Sequence, residues 1–588
     1  MPRPRPRLRT FSPRSPSSLA LGRTASTAAL PRPHCQPWRP TVGLELHVQL
    51  KGNPKLFSHE TATYDATPNT HVAPFDAALP GTLPVLHPTP LRLALLASLS
   101  LKSQINPLSR FDRKHYFYPD LTPGWQLTQR YAPLATGGYV RVRTPPVRSK
   151  GGKKDKGKGK AVVATEGVKQ EPEEEDDFFI VRLDQIQLEQ DTAKSFHDPS
   201  LPLGPGTLVD LNRAGAALIE IVTKPDMRSP EEATSFVKGL QSILRSSGVS
   251  GANMEKGELR CDVNVSVSRL DADGRVEKQG TRCEVKNLNG VRFIGLAIES
   301  EIRRQIAVME RGDEVQSATL GFSALTLETF HLRLKESSPD YRYMPDPELS
   351  PIPISPSLIE TLEKDVPELP VEREERVRKV YGLGRREVGV LVALGEGEEG
   401  AEGEGEMGVG VRWFEEIVRG AGRGEGRDPK VVMNWLIHTF LGLLSRNSFT
   451  LATSPVSPSE LGTLIDAVTS SRRMTGTEAK TLLGEFLSRA REGGREGDEF
   501  AEVLRRELDS RPASPSSDAS SSSSATSDKD FDDLVSSLLS SHPSEVSKIR
   551  SGQTKVVQRL VGEAMKRSKG RVDAKKVGEE VRRRLAVE

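Results

Sequence analysis

The strongest constraint on the fold is a strict alternation of apolar and polar residues in several segments of the first 360 residues. A period of two is the period of a strand with one buried face. In the segment TVGLELHVQL the apolar side chains fall on one face: Val42, Leu44, Leu46, Val48 and Leu50. The other face carries Glu45 and His47 side by side. The pattern therefore predicts a sheet whose polar face presents a carboxylate next to an imidazole.

Three further segments show the same alternation. In LRCDVNVSVSR, Asp262 and Asn264 face away from a core that takes Cys261, so this cysteine is interpreted as a packing residue. In GTRCEVKN, Lys286 lies on the polar face. In AALIEIV, Glu220 shares a face with apolar residues, where a lone carboxylate is costly to bury unless a cation or a donor compensates it.

Helical signals make the predicted fold class α+β rather than all-β. Ser229 and Pro230 supply a cap and a proline at the first helical position, and two acids follow in the first turn. From about residue 361 onward the apolar period is helical, and Asp428 and Ser457 begin two of the predicted helices. The sequence therefore predicts an α+β domain followed by two all-α regions.

Segments of biased composition divide the chain, because they lack the apolar content needed to offset the entropy of ordering them. Residues 149–177 form a charged insertion, 395–427 a Gly- and Glu-rich insertion, and 506–528 a Ser-rich linker. They leave a large domain at 41–360, a helical domain at 361–505 and a small tail domain at 529–588.

The first 40 residues carry eight Arg and no acid, and they are rich in Ser and Ala. This composition is typical of an organelle transit peptide, so we expect import into the mitochondrion. A disordered basic tail that binds RNA is the alternative interpretation.

Two classes of protein are excluded by composition. The chain has no apolar run of 18 residues, so no membrane-spanning helix is expected. Its three cysteines (Cys35, Cys261 and Cys283) are too few for a disulfide framework or a four-cysteine zinc site.

The sequence has no phosphate loop of the GxxxxGK[ST] type, and a GxGxxG match at 403–408 has glutamates in its gaps and no strand before it. Any ATP would therefore have to be held by a magnesium ion on carboxylates, which suits oxygen ligands and substrate phosphates. The candidate ligands are Glu45, His47, Glu189, Glu220 and Asp262. Solvated polar residues on an open sheet face are the alternative interpretation.

Two segments are candidates for RNA binding. In FDRKHYFYPDLTPGWQ, basic residues stand beside aromatic ones, Arg113 with Tyr116 and Tyr118, a combination that suits a single-stranded RNA end. An aromatic core cluster explains the segment equally well. Residues 555–585 carry eleven Lys or Arg against four acids, and this excess suits phosphate contacts or a solvated helical surface. The candidate contacts there are Lys566, Arg567 and Lys569.

The longer motifs resemble one family. GLELHVQL, KLFS, ALPGTLPVLH, FDRKHYFYPDLTPGWQLTQ, LEQDTAK, DLNRAGAALIEIVTKPDMRSPEEA, ELRCDVNVSV, EVKNLNGVRFI and DYRYMPDPEL follow one another along the chain. Together with VPELP, NWLIHTFLGLL and VGEAMKRSKGRVD they resemble the B subunit of aspartyl/glutamyl-tRNA amidotransferase, the GatB/GatE family. The resemblance covers nearly all of the chain outside 1–40 and the biased segments.

The resemblance implies a fold and a reaction. The fold is an antiparallel-sheet cradle similar to glutamine synthetase, followed by a helical domain and a tail domain that contacts tRNA. The reaction, of the carbon–nitrogen ligase class, is ATP- and Mg²⁺-dependent activation of the γ-carboxylate of Glu-tRNA(Gln), then amidation with glutamine-derived ammonia. The expected partners are an amidase of the A-subunit type, a small third subunit of the C or F type and the misacylated tRNA, in the mitochondrial matrix.

The resemblance also assigns roles to residues. His47 and Glu220 match metal ligands, and Gln190 stands at a further ligand position. Lys114, Arg260 and Lys286 are assigned to the cofactor. The residues expected at the catalytic site are Glu45, His47, Glu189, Glu220, Arg260, Asp262, Asn264 and Lys286.

The chain departs from the family pattern in two ways that bear on the site. The acidic motif LEED reads LEQD here, so Gln190 replaces a carboxylate. The zinc cysteines of many bacterial relatives are absent between Phe57 and Pro80, so no zinc is expected. Gln190 and the long insertions make a catalytically weakened tRNA-binding scaffold the alternative to an active enzyme.

Overall fold

The computed structural model describes residues 38–52, 54–63, 66–145, 178–201, 204–271, 273–334, 340–394, 408–420, 426–471, 473–492, 499–509, 528–550, 556–568 and 574–585. The predicted charged insertion at 149–177 lies outside the described residues, as do nearly all of the transit peptide and most of the Ser-rich linker.

The predicted α+β class is confirmed by the order of the elements, since strands dominate the first part and helices the rest. The strands are β1 (Trp38–Gln49), β2 (Gln104–Ile105), β3 (Leu108–His115), β4 (Trp125–Ala132), β5 (Ala135–Thr136), β6 (Tyr139–Arg143), β7 (Phe178–Gln190), β8 (Lys194–Asp198), β9 (Gly206–Asp210), β10 (Ala217–Thr223), β11 (Leu259–Leu270), β12 (Val276–Lys278), β13 (Cys283–Leu288), β14 (Ala318–Ser323), β15 (Glu328–Leu334), β16 (Met344–Pro345) and β17 (Ile352–Pro353).

The helices of the sheet-rich part are α1 (Pro88–Ser100), α2 (Pro230–Ser246) and α3 (Val291–Glu310), and those that follow it are α4 (Pro356–Asp365), α5 (Pro370–Tyr381), α6 (Arg385–Ala393), α7 (Val409–Arg419), α8 (Pro429–Trp435), α9 (Leu441–Arg446), α10 (Pro458–Thr469), α11 (Gly476–Arg491), α12 (Phe500–Asp509), α13 (Asp528–Ser541), α14 (Pro543–Arg550), α15 (Val557–Arg567) and α16 (Ala574–Leu585). A π-helical turn, Leu436–Phe440, joins α8 to α9.

One large sheet organises the first domain. Its strand order within the described residues is β15-β14-β13-β11-β1-β10-β7-β5-β2, with β12 added to β11 and β6 to β7. The pairs around β1 are antiparallel, as the family resemblance implies, whereas β13 and β14 pair in parallel. The sheet is therefore mixed rather than purely antiparallel.

The alternation of β1 places its apolar side chains in a fully buried core. Val42, Leu46 and Val48 are inaccessible to solvent, and the apolar faces of α2 and α3 belong to the same core. Ser229 caps α2 by accepting a hydrogen bond from the backbone N–H of Glu232, which confirms the predicted helix start. Covering one face of the sheet in this way leaves the other face for polar chemistry.

The domain boundaries differ from the predicted ones in three places. β1 begins at Trp38, inside the predicted transit peptide, and Leu362 of α4 packs in the core of the sheet domain rather than in the helical domain. Residues 408–420, inside the predicted Gly- and Glu-rich insertion, contain α7, whose Phe414 and Ile417 are fully buried in the second core. The sequence analysis did not predict this amphipathic helix, because the glycines and glutamates that flank it lower the average hydropathy of 395–427.

The tail forms a core of its own. Helices α13 to α16 bury Leu538, Leu560, Val577 and Val581 together. Among the helices that the structure describes, none combines the length and apolar composition required to cross a membrane.

A fully buried ion pair fixes the segment that follows β1. The Lys55 ammonium donates to Asp76 Oδ2 at 2.8 Å and to the backbone carbonyls of His71 at 2.8 Å and Leu211 at 3.2 Å. Gly215 lies against this pair with φ +82°, and a Cβ atom there would sit 2.9 Å from Asp76 Oδ1. The pair therefore connects the segment around His71 to the turn that leads into β10.

We expect Lys55→Met to lower the free energy of unfolding by about 3–5 kcal/mol, because the change leaves the Asp76 carboxylate buried and unpaired. The measurement is urea unfolding of the full chain. Lys102→Met, which removes an exposed ion pair with Glu372 (3.2 Å), is the matched control and should cost about 1 kcal/mol or less. Adding Asp76→Leu to Lys55→Met should recover part of the loss, and equal effects of the two lysine substitutions would contradict a buried-charge origin.

Candidate active site

The pairing of three adjacent strands builds the polar face. β1 lies between β10 and β11, and the register places His47 directly opposite Glu220 on one side and Arg260 on the other. In the next polar row Glu45 faces Asp262. Cross-strand neighbours are about 4.5–5.5 Å apart at Cβ, so side chains far apart in sequence come into contact.

Three of these side chains converge on one point. Ligand atoms of Glu45, His47 and Glu220 all lie within 4.8 Å of one another, and this is the one such group of three potential metal ligands in the part of the chain that the structure describes. Glu220 is buried, whereas Glu45 and His47 are half-buried. Two carboxylates and an imidazole at this spacing could hold one divalent cation.

Glu189 of β7 reaches the same group from beyond β10. The His47 Nδ1–H donates to Glu189 Oε1 at 2.7 Å, and Glu189 is almost fully buried. Burial alone would lower the pKa of His47, but the Glu189 carboxylate outweighs it and raises the pKa to about 9. For Glu189, burial opposes ionisation, and His47 together with Lys114 and Arg260 lowers the pKa below its usual value. With no cation bound, the pair is therefore an ionised carboxylate and an imidazolium, and His47 would have to release its Nε2 proton to bind a metal.

The pKa of Glu220 is raised, whereas that of Glu189 is lowered. Burial and the nearby Glu189 carboxylate raise the pKa of Glu220 to about 8. Gln187, its neighbour across the β7–β10 pair, donates a hydrogen bond from its side-chain amide to Glu220 Oε2. Glu220 therefore carries a proton at neutral pH when no cation is bound. In this neutral form the side chain avoids the free-energy cost of burying a lone carboxylate.

Cations surround these acids. Lys286 Nζ lies 2.7 Å from Asp262 and 3.1 Å from Glu284, and these carboxylates raise its pKa although burial opposes the shift. Arg260 Nη2 lies 2.9 Å from Asp191 Oδ1. A cavity of about 270 Å³ opens between them, lined by His47, Lys114, Tyr116, Gln126, Glu189, Asp191, Thr192, Leu218, Arg260, Cys261, Asp262, Lys286, Leu288 and Asn289.

The structure brings most of the predicted site residues together. Glu45 and Glu220 belong to the ligand cluster beside the cavity, and Asn264 lies on β11 opposite Gly43 and Glu284, away from the cavity lining. The predicted site residues that line the cavity are His47, Lys114, Tyr116, Glu189, Arg260, Asp262 and Lys286.

Gln190 is not brought to the cavity. Strand alternation places the side chain of Gln190 on the face of Leu188, opposite to Glu189, while its backbone carbonyl accepts a hydrogen bond from the Gln126 side-chain amide. The predicted ligand role of Gln190 therefore has no geometric support. Glu45 completes the cluster with His47 and Glu220 instead.

Asp191 and Gln187 were missed by the sequence analysis. Asp191 contacts Arg260, and Gln187 contacts Glu220. Their positions two residues after and two before Glu189 put them on its strand face. This spacing of two residues along the strand was the signal in the sequence that could have identified them.

The residues predicted to contact RNA around β3 differ in their exposure to solvent. Arg113 is largely buried, stacks 4.2 Å from the Trp125 ring centroid and pairs with Asp346 at 2.5 Å, so its charge is neutralised within the protein. Tyr118, in contrast, is 62% exposed.

The basic residues predicted in the tail belong to a separate domain. Lys566 and Arg567 end α15, and Arg567 donates to Ser537 at 3.2 Å and to Ser541 at 3.3 Å. Lys569 lies outside the described residues.

Two family models match this chain, one over the sheet-rich domain and the other over the helical regions. Residues 40–360 match the family described as GatB/GatE catalytic domain, and residues 412–506 and 518–585 match the GatB domain. The chain is 38% identical to the mitochondrial B subunit of glutamyl-tRNA(Gln) amidotransferase of Mycosarcoma maydis, over 97% of this chain and 90% of that protein. It is 41% identical to the protein of the same name in Laccaria bicolor, over 92% and 91%. The identity is 36% to the B subunit of aspartyl/glutamyl-tRNA(Asn/Gln) amidotransferase of Bartonella bacilliformis, over 94% and 96%.

We expect the protein, in a chelating buffer, to lose stability as the pH rises from about 6.5 to about 9. The raised pKa of His47 contributes stability that is fully present below its unfolded value of 6.5 and is lost as the pH passes through about 9. Glu220 acts in the same direction, because its pKa rises from 4.5 to about 8 and the folded state keeps a proton that the unfolded chain has released.

The measurement is the urea midpoint of unfolding between pH 6.5 and pH 9. His47→Gln should flatten the decline, whereas His331→Gln, an exposed substitution on β15, should leave it unchanged. A wild-type midpoint that rises across this interval would contradict the raised pKa values of His47 and Glu220 in the folded state.

Proposed function

The chain belongs to the GatB/GatE family, and we propose that it activates the γ-carboxylate of Glu-tRNA(Gln) with ATP and magnesium for amidation by ammonia. It is the B subunit of a tRNA amidotransferase, of the carbon–nitrogen ligase class with glutamine as amido donor. The observation that carries the activation step is the cavity on the polar sheet face, where carboxylates, an imidazole and the three cations Lys114, Arg260 and Lys286 converge. In this proposal the sheet domain is a cradle of the glutamine synthetase kind.

The reaction needs activation because a carboxylate is a poor electrophile. Phosphoryl transfer from ATP forms a bond between the γ-carboxylate and phosphorus and releases ADP. Ammonia then attacks the carbonyl carbon, the carbon–oxygen bond to phosphate breaks, and the nitrogen loses a proton to give the amide. In such transfers a protein mainly positions the reactants and offsets charge.

Arg260 and Lys286 are the groups we assign to the phosphates. Both line the cavity, and each is held in place by a carboxylate: Asp191 at 2.9 Å from Arg260 and Asp262 at 2.7 Å from Lys286. A cation fixed by its own carboxylate needs no reorganisation when charge develops on the transferring phosphoryl group. Lys114, which also lines the cavity, supplies a third positive charge.

The ligand cluster fits magnesium through its oxygen atoms. Glu45 and Glu220 would each supply a carboxylate oxygen, and His47 a nitrogen, with water and phosphate oxygens completing the shell. The ion supplies charge neutralisation for the transferring phosphoryl group when it is bound. Glu189 holds the His47 ring from behind through the Nδ1–H, a contact typical of metal-ligating histidines.

The remaining assignments concern partners and location. We assign the ammonia to a separate amidase of the A-subunit type, and we expect a small third subunit of the C or F type in the complex. The tail domain, with its basic helices α15 and α16, is assigned to the tRNA body. The relatives named as mitochondrial and the Arg-rich first 40 residues support import into the mitochondrion, and we place the protein in the matrix.

The alternative of a catalytically weakened scaffold is not favoured. It rested on Gln190, which lies outside the cavity lining, and on the long insertions. Against it, Glu45, His47, Glu189 and Glu220 are all present at or beside the cavity. A scaffold has no need for a buried carboxylate with a raised pKa, and such groups cluster at functional sites.

We expect Glu220→Gln to lower the rate of Gln-tRNA formation at least about a hundredfold, because it removes a carboxylate from the ligand cluster while keeping its volume. The assay uses the full chain copurified with its amidase partner, γ-labelled ATP, Glu-tRNA(Gln) and ammonium chloride, which bypasses the amidase. Label transfer and amide formation are measured separately, and tRNA binding should be unchanged.

Asp184→Asn is the matched control, since it changes an exposed carboxylate that pairs with Lys224 on the same sheet. It should retain wild-type activity. Equal activity of wild type, Glu220→Gln and Asp184→Asn would make Glu220 a packing residue and would remove the basis for the activation step.

A further inference from the structure

Strand β7 holds two of the three residues in the ligand cluster of Glu45, His47 and Glu220. His47 lies on β1 and Glu220 on β10, and a side chain of β7 contacts each of them. Glu189 accepts a hydrogen bond from the His47 Nδ1–H at 2.7 Å, and the Gln187 side-chain amide donates to Glu220 Oε2. β7 therefore contributes two residues that engage potential metal ligands without belonging to the cluster themselves.

Strand geometry explains why both supporting residues come from one strand. Gln187 and Glu189 are two positions apart, so their side chains leave β7 on the same face. The register places Gln187 directly opposite Glu220, and Glu220 directly opposite His47 on the next strand. Directly opposite side chains have Cβ atoms about 4.5–5.5 Å apart, which lets an amide reach a carboxylate. The contact between Gln187 and Glu220 is therefore fixed by the sheet itself.

A third residue of the same face fixes the direction of the Gln187 amide. The Gln185 side-chain N–H donates to Gln187 Oε1 at 2.9 Å. Because Gln187 Oε1 is the acceptor in that contact, its Nε2 is directed at Glu220, and a rotation of the amide by half a turn would lose both hydrogen bonds. Gln187 is 7% exposed, so solvent has little access to replace either partner.

A neutral donor suits this position better than a cation would. A carboxylate has two oxygens, and a hydrogen bond to Glu220 Oε2 leaves Oε1 for a divalent ion. A lysine or arginine at position 187 would neutralise the carboxylate and repel the ion by its own charge. The Gln187 amide can orient the carboxylate without competing with the ion for its negative charge.

From these observations we propose that Gln187 is a positioning residue, which holds the Glu220 carboxylate in the orientation that binds the divalent cation, and that Gln185 fixes Gln187 in turn. The inference rests on the proposed function, since that function places magnesium on the ligand cluster. Hydrogen-bond partners behind metal ligands orient those ligands, and their loss weakens metal binding about 10- to 100-fold. In this role Gln187 acts through Glu220 rather than on the ion.

Satisfaction of a buried carboxyl group is the competing explanation of the same contact, because a buried acid needs a hydrogen-bond partner whether or not it binds a metal. Glu301 on α3 is an example in the same domain. It is fully buried and accepts from Gln305 Nε2 at 2.7 Å, yet it belongs to no group of potential metal ligands among the residues that the structure describes. A purely structural contact affects stability, whereas a positioning contact also affects the metal affinity of the folded protein.

The test measures Mn²⁺ binding to the full chain copurified with its amidase partner, without ATP or tRNA. Mn²⁺ takes the same oxygen ligands as magnesium, and its electron paramagnetic resonance signal distinguishes free from bound ion. Glu220→Gln identifies the site, because wild-type binding should be lost in that variant. Gln187→Met removes the donor with little change in volume and should weaken Mn²⁺ binding about 10- to 100-fold.

Three further variants separate positioning from folding. Gln187→His retains a ring N–H donor and should restore most of the Mn²⁺ affinity. Gln185→Leu leaves the Gln187 amide in place but releases its direction, so it should weaken binding by a smaller factor than Gln187→Met. Gln305→Met is the matched control, since it removes the donor to the buried Glu301. It should lower the urea midpoint of unfolding, as Gln187→Met does, and leave the Mn²⁺ affinity of the folded protein unchanged.

Each outcome decides for or against the proposal. Wild-type Mn²⁺ affinity in Gln187→Met would overturn it and leave Gln187 as the partner of a buried carboxyl group only. Equal weakening in Gln187→Met and Gln305→Met would also overturn it, because the loss would then follow from reduced stability. The same holds for equal Mn²⁺ binding by wild type and Glu220→Gln, which would place the ion elsewhere. Failure of the proposed function would appear separately, as wild type that binds Mn²⁺ through Glu220 but transfers no label from ATP.

Discussion

Everything in the proposed site depends on the antiparallel register of β1 between β10 and β11. That register aligns Gln187, Glu220, His47 and Arg260 in one row across four strands. A slip of one residue in either pair would turn the polar side chains into the core and expose Val42 and Leu46. The fully buried apolar face therefore fixes the geometry of the polar face, because only one register satisfies both.

Charge compensation makes this concentration of acids tolerable. Glu189 is balanced by the His47 imidazolium, Asp262 by Lys286 and Asp191 by Arg260, while Glu220 keeps a proton. Each pair neutralises a charge whose isolated burial would be prohibitive. The same arrangement leaves cations already oriented for an anionic substrate, so the interactions that stabilise the folded sheet also prepare it for phosphate.

In the proposed function the sheet domain holds the reacting groups, and the helical domains contact the tRNA. The helical domain joins the sheet domain through ion pairs such as Arg141 with Glu375 at 2.6 Å, and the tail has its own core. Placing the polar sheet on a single rigid domain keeps the reacting groups in register, whereas separate helical domains can engage a long, irregular ligand at a distance.

The sequence by itself determined the local elements and the faces of the strands. Alternation assigned Glu45 and His47 to a polar face and Cys261 to the core, and the cap at Ser229 marked α2, because these signals depend on neighbours along the chain. It did not reveal α7 within a Gly- and Glu-rich segment, and it placed Gln190 in the site instead of Asp191. Which strands pair, and which residues meet, only the tertiary structure decided. The contact of Glu189 with His47 and the alignment of Tyr341 with Tyr116 join residues 142 and 225 positions apart, and such contacts arise from strand order, which no local pattern encodes.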